Sequence, residues 1–444
     1  MLQKRFDDNI KSIFLSNNTK AAQLSVALAI SGGSDSMAML HLASNWAKKF
    51  NVRLTIFSVN HNLRRSAANE IDFVKKVTLN LGHDFFEFSW NCNGEKSAIQ
   101  ERARLARYDM MTKKCHELNI NILLTAHHLD DMLETYIMRK NKKSGILGLS
   151  YSMSFFYNNI WIFRPLTIFL KAELTDYLLA KDDYCHNQNE ENIKWIEDES
   201  NKSDIYERNR IRQFISSLTK IDKLKLIDQM KEVGRAGEKL NEKLINAIAE
   251  IVQINNYGFA IIKLAKILGE EFDVKIHIIN YLLTIIGGKT LLPRFRSSIQ
   301  IINKIEQKEK INCSLHGCLL RQTNDSLIIY REASQINTHQ IKLRDGAIWD
   351  ERFIIECNNY ENENYTIEHL KLSDYAQIKD ELILGKLHEV ASNSYRQILF
   401  TLPVIKKLEK IVAIPHISYY NERKFIDSLK VTFRPNFISR FTHF

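Results

Sequence analysis

The chain has 444 residues, of which 45% are hydrophobic and 26% are charged, as in ordinary soluble globular proteins. Its 62 Lys and Arg against 52 Asp and Glu give a net charge of +10, and the length predicts two or three domains. No run approaches the about 18 apolar residues of a membrane span, and the acidic residues near the N-terminus argue against a secretory signal peptide.

Short apolar runs alternate with helical patterns over the first 212 residues. The predicted strands are Leu24–Ile30, Arg53–Val59, Asp84–Trp90, Ile122–Thr125 and Ile160–Phe163. The predicted helices are Ser36–Phe50, Ala67–Leu81, Ser97–Leu118 and Asp131–Lys140. Ser97 and Gln100 have the spacing of a capping box at the start of the third helix. Such alternation predicts an α/β fold with a doubly wound, mainly parallel sheet.

The pattern changes near residue 215. Residues 215–285 are helical and charged, and short β-type runs such as SLIIYREA (326–333) and AIWDERFIIE (347–356) follow them. We therefore predict three domains, which cover residues 1–214, 215–335 and 336–444. The first is the α/β domain, the second is mainly helical, and the third is a small α+β domain.

The positive charge is concentrated at the C-terminal end. Residues 391–444 contain nine Lys and Arg and three acidic residues, so that six of the ten net charges fall there. A basic end of this kind favours a polyanionic partner, most simply a nucleic acid. A merely solvated basic surface is the alternative.

The first predicted strand ends in SGGSDS (31–36) and leads into a helix. Glycines let a backbone approach an anion closely, the N–H groups of the turn point at it, and the helix N-terminus adds partial positive charge. The chain has no G-x-G-x-x-G, and the near match GGKT at 287–290 has Leu283 where a Walker A loop has its first glycine. The residues predicted to cradle phosphates are Ser31, Gly32, Gly33, Ser34 and Ser36. A tight turn with incidental serines is the alternative.

Asp35 lies within this loop and has the same charge as a phosphate. Its carboxylate therefore predicts a ligand for Mg²⁺, which would be held against the phosphates. A solvated aspartate in the first helical turn is the alternative.

Two further stretches carry clustered charges. TAHHLDDMLET (125–135) has carboxylates at the opening of a helix, where Asp131 and Glu134 share a face and suit a metal ion or a cationic substrate. ERARLARY (101–108) brings Arg104 and Arg107 close together, which suits a phosphate or a developing negative charge. An acidic first turn and a solvated basic face are the respective alternatives.

Six stretches, in their order along the chain, resemble motifs of the tRNA(Ile)-lysidine synthetase family of PP-loop ATP pyrophosphatases. They are SGGSDS, VNHNLR (59–64), ERARLARY, TAHHLDDMLET, FRPL (163–166) and EDESN…RNRIR (197–212). The resemblance covers residues 24–212, and LEKIVAIPHIS (408–418) resembles the family's last domain more loosely. It implies a PP-loop, adenine nucleotide alpha hydrolase-like domain over 1–214 that binds ATP and carries the catalytic site. It also implies tRNA contacts from 215–335 and a tRNA-binding domain over 336–444.

The resemblance further implies a reaction. ATP would adenylate the C2 oxygen of the wobble cytidine in the CAU anticodon of tRNA(Ile), with release of diphosphate. The ε-amine of free L-lysine would then attack C2 and expel AMP, leaving lysidine. Decoding would change from AUG to AUA, and charging would change from methionine to isoleucine.

The resemblance also implies roles for individual residues. The catalytic residues would be Asp35, Arg104, Arg107 and His127, with His127 as a proton acceptor or, alternatively, only packed at the helix start. Lysine would bind Asp131 and Glu134, while Mg²⁺ would bind Asp35 and Asp130. The tRNA or phosphate contacts would be Arg64, Lys142, Lys143, Arg208, Arg212, Arg434 and Arg440.

The sequence departs from the family pattern at two places. Asn60 and Asn62 stand where members usually have Asp and Gly, and Lys142 and Lys143 stand at the Arg-Gly of an Arg-Gly-Ser-Gly run. A lysine keeps the positive charge but loses the bidentate fork, and a side chain replaces a bare glycine. The departure concerns tRNA contacts at that loop and leaves the predicted chemistry unchanged.

Three other functions were weighed. A tRNA thiolase would need cysteines that carry sulfur, but there is no C-x-x-C, and CSLHGC (313–318) fits small buried hydrophobic residues better than a zinc site. A PP-loop amidotransferase would bring a glutaminase domain, of which there is no sign. A non-enzymatic RNA-binding module would have lost Asp35 or the acidic helix, and both are present.

The expected surroundings of the protein follow from the same features. Six scattered cysteines predict free thiols in a reducing cytoplasm. The expected partners are ATP, free L-lysine and the CAU-anticodon tRNA(Ile), with no membrane. The sequence leaves the oligomeric state open, a homodimer included.

Overall fold

A computed structural model describes residues 1–16, 24–60, 67–90, 99–150, 153–180, 195–196, 207–289, 291–336, 340–358, 364–382, 385–391 and 394–435. The chain divides into two compact units, one with Met1–Glu238 and the other with the described residues from Lys239 onward. The predicted division into three domains, at 214/215 and 335/336, stays a prediction.

The first unit contains a six-stranded sheet with helices. Its strands are β1 (Ser25–Ala29), β2 (Arg53–Asn60), β3 (Asp84–Ser89), β4 (Ile122–Thr125), β5 (Ser154–Tyr157) and β6 (Ile160–Phe163). Its helices are α1 (Leu2–Ser16), α2 (Ser34–Phe50), α3 (Ala67–Asn80), α4 (Ile99–Glu117), α5 (Leu129–Asn141), α6 (Ile146–Leu149), α7 (Lys171–Leu179), α8 (Glu207–Ser217) and α9 (Lys220–Ile251), which runs past Glu238. The sheet order is β3-β2-β1-β4-β6-β5, and all neighbours are parallel except β5 and β6. The predicted mainly parallel sheet is confirmed.

The strand order of the sheet reverses between β1 and β4. The chain adds β2 and β3 on one side of β1, then returns to add β4 and β6 on the other side. In such sheets, ligands bind beyond the carboxyl ends of the strands at this switch point. Ala29 of β1 pairs with Thr125 of β4, so the SGGSDS and TAHHLDDMLET stretches both leave the sheet at the same edge.

The predicted elements of this unit agree with the observed ones to within a few residues at each end. Four elements were not predicted, namely α1, α6, β5 and α7. The edge strand β5 pairs with β6 through a turn in which Asn158 and Asn159 have φ of 46° and 60°, a conformation that asparagine tolerates in tight hairpins. The proposed capping box at Ser97 lies outside the described residues.

The second unit holds shorter elements. Its helices are α10 (Leu264–Leu268), α11 (Phe272–Ile286), α12 (Phe295–Glu306), α13 (Leu372–Ile378), α14 (Gly385–Ala391) and α15 (Tyr395–Leu399). Its strands are β7 (Val252–Asn255), β8 (Phe259–Lys263), β9 (Asn312–Leu315), β10 (Cys318–Gln322), β11 (Ser326–Arg331), β12 (Ile341–Lys342), β13 (Ala347–Trp349), β14 (Phe353–Cys357), β15 (Tyr365–His369), β16 (Pro403–Lys407), β17 (Lys410–Ile414), β18 (Tyr419–Tyr420) and β19 (Leu429–Phe433). They form antiparallel sheets of order β7-β8-β11-β10-β9, β12-β15-β16-β17-β18 and β13-β14-β19. The middle region, predicted to be mainly helical, therefore holds an antiparallel sheet beside α10–α12.

One hydrophobic core joins the middle and C-terminal parts of this unit. Phe259 and Tyr330 from the first sheet belong to the same buried cluster as Trp349 and Phe353 from the sheet of β13, β14 and β19. Lys406, which the sequence counts among the basic C-terminal residues, is fully buried and pairs with Asp374 at 2.8 Å. Its charge is therefore not available to a polyanion.

The predicted free thiols are confirmed for the cysteines that the structure describes. The four described cysteines are free thiols, at positions 115, 313, 318 and 357. Cys313 and Cys318 lie on β9 and β10, which a two-residue turn connects. None of the helices in the described ranges has both the length and the hydrophobicity that a membrane span requires.

Candidate active site

The loop between β1 and α2 has the geometry of an anion site. Gly32 has φ +90°, and a Cβ there would lie 3.2 Å from Cδ1 of Ile196, so that both its backbone conformation and the space around it favour glycine. The hydroxyl of Ser36 donates to the carbonyl of Gly33 at 2.9 Å and accepts from the N–H of Ser31 at 3.2 Å. Within the described residues, no side chain caps the start of α2. Its first N–H groups are thus available for a phosphate.

Asp35 lies in the first turn of α2 and faces the loop after β4. Its Oδ2 atom is 3.5 Å from Nε2 of His128 and 4.0 Å from Nζ of Lys171. Burial disfavours the ionised carboxyl, but the hydrogen bond and charge of His128 outweigh it, and the pKa of Asp35 lies below its ordinary value. Asp35 is therefore a carboxylate at neutral pH, as a metal ligand must be.

His128 connects the two loops of the site. It precedes α5 as the N-cap residue, and its Nδ1 accepts from the N–H of Asp131 at 3.4 Å. Burial lowers its pKa, yet the hydrogen bond to Asp35 and the charges of Asp131, Asp35 and Asp130 raise it more, so that the net pKa lies above its ordinary value. His128 was not among the predicted site residues, although it is the second histidine of the HH pair.

His127 faces a group of arginines instead. Its Nδ1 is 3.1 Å from Oγ1 of Thr125. Burial, followed by the positive charges of Arg164, Arg104 and Arg107, lowers the pKa of His127 well below its usual range. His127 is thus neutral at pH 7, which a proton acceptor requires, although a low pKa makes it a weak base. Its catalytic role stays a prediction.

The arginines around His127 include the predicted pair on α4. Arg104 and Arg107 lie 5.5 Å and 5.6 Å from the ring centre of Tyr108. Arg164 lies 5.0 Å from the ring centre of Phe155, and burial together with the charges of Arg164 and Arg104 lowers the pKa of Arg139. Mutually repelling guanidinium groups are the arrangement that a phosphate stabilises. Arg139 and Arg164 were not predicted, although FRPL, which contains Arg164, was recognised as a motif.

Glu134 and Asp131 pair with the arginines of α8. The buried carboxylate of Glu134 accepts from Nε of Arg208 at 2.6 Å and from Nε of Arg212 at 2.8 Å. Asp131 accepts from Nη2 of Arg208 at 2.7 Å. The sequence assigned the carboxylates to lysine and the arginines to phosphate, and in this structure the two sets bind each other. Both assignments stay predictions.

Asp130 is engaged as well. One carboxylate oxygen accepts from Nζ of Lys223 at 2.5 Å, and the other accepts from the backbone N–H of Lys171 at 2.7 Å. A metal ion at Asp130 would have to displace these donors, whereas the described cationic groups near Asp35 are farther from its carboxylate, at 3.5 Å for His128 and 4.0 Å for Lys171. In the described part of the chain, no group of three or more His, Cys, Asp or Glu side chains could hold a metal ion. A single carboxylate fits Mg²⁺ that arrives with nucleotide phosphates, because such ions keep several waters and few protein ligands.

Three of the remaining predicted contacts, Lys142, Lys143 and Arg434, lie within the described residues. Lys142 is exposed and is 3.5 Å from Glu207 of α8. Lys143 has φ +55°, a left-handed conformation that favours the glycine expected at this position. Arg434 is exposed in the second unit. Arg64 and Arg440 lie outside the described residues, as does Asn62.

Comparisons with known proteins show the family of this chain. A family model described as the PP-loop domain matches residues 2–218. The tRNA(Ile)-lysidine synthases of Rickettsia akari and Rickettsia felis are each 42% identical to the chain, and that of Rickettsia bellii is 41% identical. Each alignment covers 100% of the chain and 100% of the relative.

The chain belongs to the tRNA(Ile)-lysidine synthase family. It is thus an ATP-using, tRNA-modifying ligase of the PP-loop group, as the sequence motifs predicted. Among solved structures, it is similar to a U34-tRNA thiolase from Methanococcus maripaludis, with a TM-score of 0.35 and 17% identity over 48% of this chain and 72% of that one. It is also similar to an NH3-dependent NAD synthetase from Campylobacter jejuni, with a TM-score of 0.30 and 14% identity over 53% of this chain and 93% of that one. Values this low carry no argument about function.

Proposed function

We propose that this enzyme ligates L-lysine to C2 of the wobble cytidine in the CAU anticodon of tRNA(Ile). ATP first adenylates the C2 oxygen with loss of diphosphate, and the ε-amine of lysine then attacks C2 and expels AMP. The observation that carries the proposal is the meeting, at the carboxyl ends of β1 and β4, of an uncapped helix start, a carboxylate and a group of arginines.

Adenylation transfers charge onto phosphate oxygens, so positive charge near the α-phosphate is the main requirement. The N–H groups at the start of α2 and the hydroxyls of Ser31 and Ser34 would bind the leaving diphosphate. Arg104 and Arg107 would stabilise the charge that develops on the α-phosphate. Arg164 extends this positive surface, because its charge also acts on His127.

Magnesium fits the site through Asp35. Its carboxylate has a lowered pKa and lies in the first turn of α2, behind the phosphate-binding loop. When bound, Mg²⁺ would neutralise phosphate charge during adenylation. Asp35 would orient the ion, and His128 would hold Asp35 in place from the other side.

The lysine substrate needs anionic partners for its amines. Asp131 and Glu134 lie on one face of α5, next to the arginines that would hold the adenylated cytidine. His127 is neutral and close to those arginines, and it would accept the proton that the ε-amine loses. The two carboxylates already carry cationic partners, Arg208 and Arg212, in the free enzyme.

The tRNA would be held largely through its phosphates. The basic C-terminal region supports this, and Arg434 is one exposed cation there. Phosphate contacts supply affinity without reading bases. Arg434→Gln should therefore weaken tRNA binding and reduce the slope of log affinity against log salt by at most about one unit. An unchanged slope would exclude Arg434 as a phosphate contact.

The decisive test is incubation of the full chain with ATP, Mg²⁺, labelled lysine and a tRNA transcript. We expect label in a CAU-anticodon transcript, with stoichiometric AMP and diphosphate. A GAU-anticodon transcript is the control and should take up no label. Equal labelling of both transcripts would exclude the wobble cytidine as the target.

A further inference from the structure

The pair of carboxylates proposed to bind lysine is already occupied by guanidinium groups of the same chain. Arg208 donates from Nε to Glu134 at 2.6 Å and from Nη2 to Asp131 at 2.7 Å. Arg212 donates from Nε to Oε1 of Glu134 at 2.8 Å and from Nη2 to Oε2 at 3.3 Å. Arg208 therefore bridges the two groups that a substrate ammonium would also need.

The charges of these four side chains balance. Two carboxylates face two guanidinium groups, so that a lysine ammonium added to the set would leave one uncompensated positive charge. Glu134 is buried, and an uncompensated charge in such surroundings is strongly unfavourable. Lysine can bind well only if one of the arginines leaves.

Arg208 is the better candidate to leave. Arg208 bonds to both carboxylates, through one oxygen of each, whereas Arg212 donates two hydrogen bonds to Glu134. Its side chain is 46% exposed, against 36% for that of Arg212. Its charge also acts on His127, together with those of Arg104, Arg107 and Arg164. Arg208 thus contacts the carboxylate pair and is also near enough to His127 for its charge to act there.

We propose that Arg208 stands in for the ammonium group of lysine in the free enzyme. A phosphate bound among the arginines draws Arg208 away from Asp131 and Glu134, and the vacated carboxylates then accept the substrate lysine. The exchange replaces one cation with another, so the carboxylates remain neutralised throughout. This inference rests on the proposed function, because it concerns the order in which ATP and lysine bind.

The proposed exchange predicts a coupling between the affinities for nucleotide and for lysine. If nucleotide binding vacates the lysine site, nucleotide must raise the affinity for lysine, and lysine must raise the affinity for nucleotide by the same factor. Couplings of this kind are commonly 5- to 150-fold, and we expect about 10-fold here. The coupling should depend on the guanidinium of Arg208 and on no other feature of α8.

The experiment measures lysine binding to the full chain by isothermal titration calorimetry, with and without the non-cleavable analogue α,β-methylene-ATP and Mg²⁺. For the natural sequence, we expect the analogue to tighten lysine binding about 10-fold. For Arg208→Gln, lysine should bind without the analogue about as tightly as the natural enzyme binds it with the analogue. Arg210→Gln is the matched control, because Arg210 is an exposed arginine of the same helix, and it should keep the full coupling.

Two results would overturn the inference. One is a lysine affinity of the natural enzyme that is the same with and without the analogue. The other is an Arg208→Gln enzyme that binds lysine weakly in both conditions, which would make Arg208 part of the lysine site. Arg208→Lys, which keeps a cation, should retain part of the coupling and shows whether the Gln variant is merely misfolded. If the natural enzyme bound no lysine even with the analogue and tRNA present, the proposed substrate itself would be wrong.

Discussion

Replacement of Glu134 by glutamine tests whether the ion pairs between α5 and α8 hold the site together. Glu134 is buried and accepts three hydrogen bonds from two arginines, at 2.6, 2.8 and 3.3 Å. Glutamine has nearly the same shape but no charge, and its NH2 group would face a guanidinium donor. At least one of the arginines would therefore lose a charged hydrogen-bond acceptor.

The size of the effect follows from burial and exposure. Removal of one partner of a fully buried ion pair costs about 3–5 kcal/mol. Here the arginines are 46% and 36% exposed, so water can replace part of what the carboxylate supplied. We therefore expect Glu134→Gln to lower the local stability of α8 by about 2 kcal/mol.

Hydrogen exchange of the backbone amides in Glu207–Ser217 measures the local stability of α8. A local measurement is needed because a chain with two compact units need not unfold in a single step. Glu207→Gln is the control on the same helix. Its contact with Lys142 is 3.5 Å long and solvent-exposed, so that its loss should cost less than about 1 kcal/mol. Equal protection of α8 in the Glu134→Gln variant and in the natural enzyme would refute the reasoning.

Three further predictions concern single residues. Asp35→Asn should slow AMP formation about 10²-fold or more with an unchanged circular dichroism spectrum, whereas near-normal AMP release would place the metal elsewhere. The raised pKa of His128 should appear in an NMR titration above the ordinary 6.5 and should fall in Asp35→Asn. Protonation of a histidine whose pKa is raised in the folded state stabilises the fold, and this contribution is complete below pH 6.5. The difference in unfolding free energy between the natural enzyme and His128→Asn should therefore decline as the pH rises through the raised pKa of His128. A difference that grows with pH would contradict this. Lys143→Gly should raise the free energy of unfolding by about 1 kcal/mol, because φ +55° is strained for lysine, and an unchanged or lower melting temperature would show that the strain is absent.

The sheet and the phosphate loop could be predicted because their signals are local. A strand such as Ile122–Thr125 is a short apolar run, and its bounds were predicted to the residue. The glycines of the loop were recognised by their position between a strand and a helix. The edge strand Ser154–Tyr157 was missed because a half-exposed strand has a weak apolar pattern, and the asparagine pair that turns it into β6 was not weighed.

The partners within the site could not be predicted because they come from distant parts of the chain. Glu134 and Arg208 are 74 residues apart, and no spacing rule relates them. The sequence assigned the carboxylates to the cationic lysine and the arginines to anionic phosphates, since each cluster of charges was considered alone. The same limit explains why His127 was preferred to His128, because only the fold decides which imidazole meets Asp35 and which meets the arginines.

The distribution of charge in the free site favours one class of substrate over the other. In the described ranges, no carboxylate forms an ion pair with Arg104, Arg107 or Arg139, whereas Asp130, Asp131 and Glu134 each pair with a cation. Among the described residues, the anion-binding half thus carries excess positive charge, which favours phosphates at the cost of mutual repulsion. The carboxylate half is already neutralised and holds little attraction for a free ammonium group. If the proposed exchange operates, we expect such a site to attract ATP and RNA first and to admit lysine only after Arg208 has been displaced.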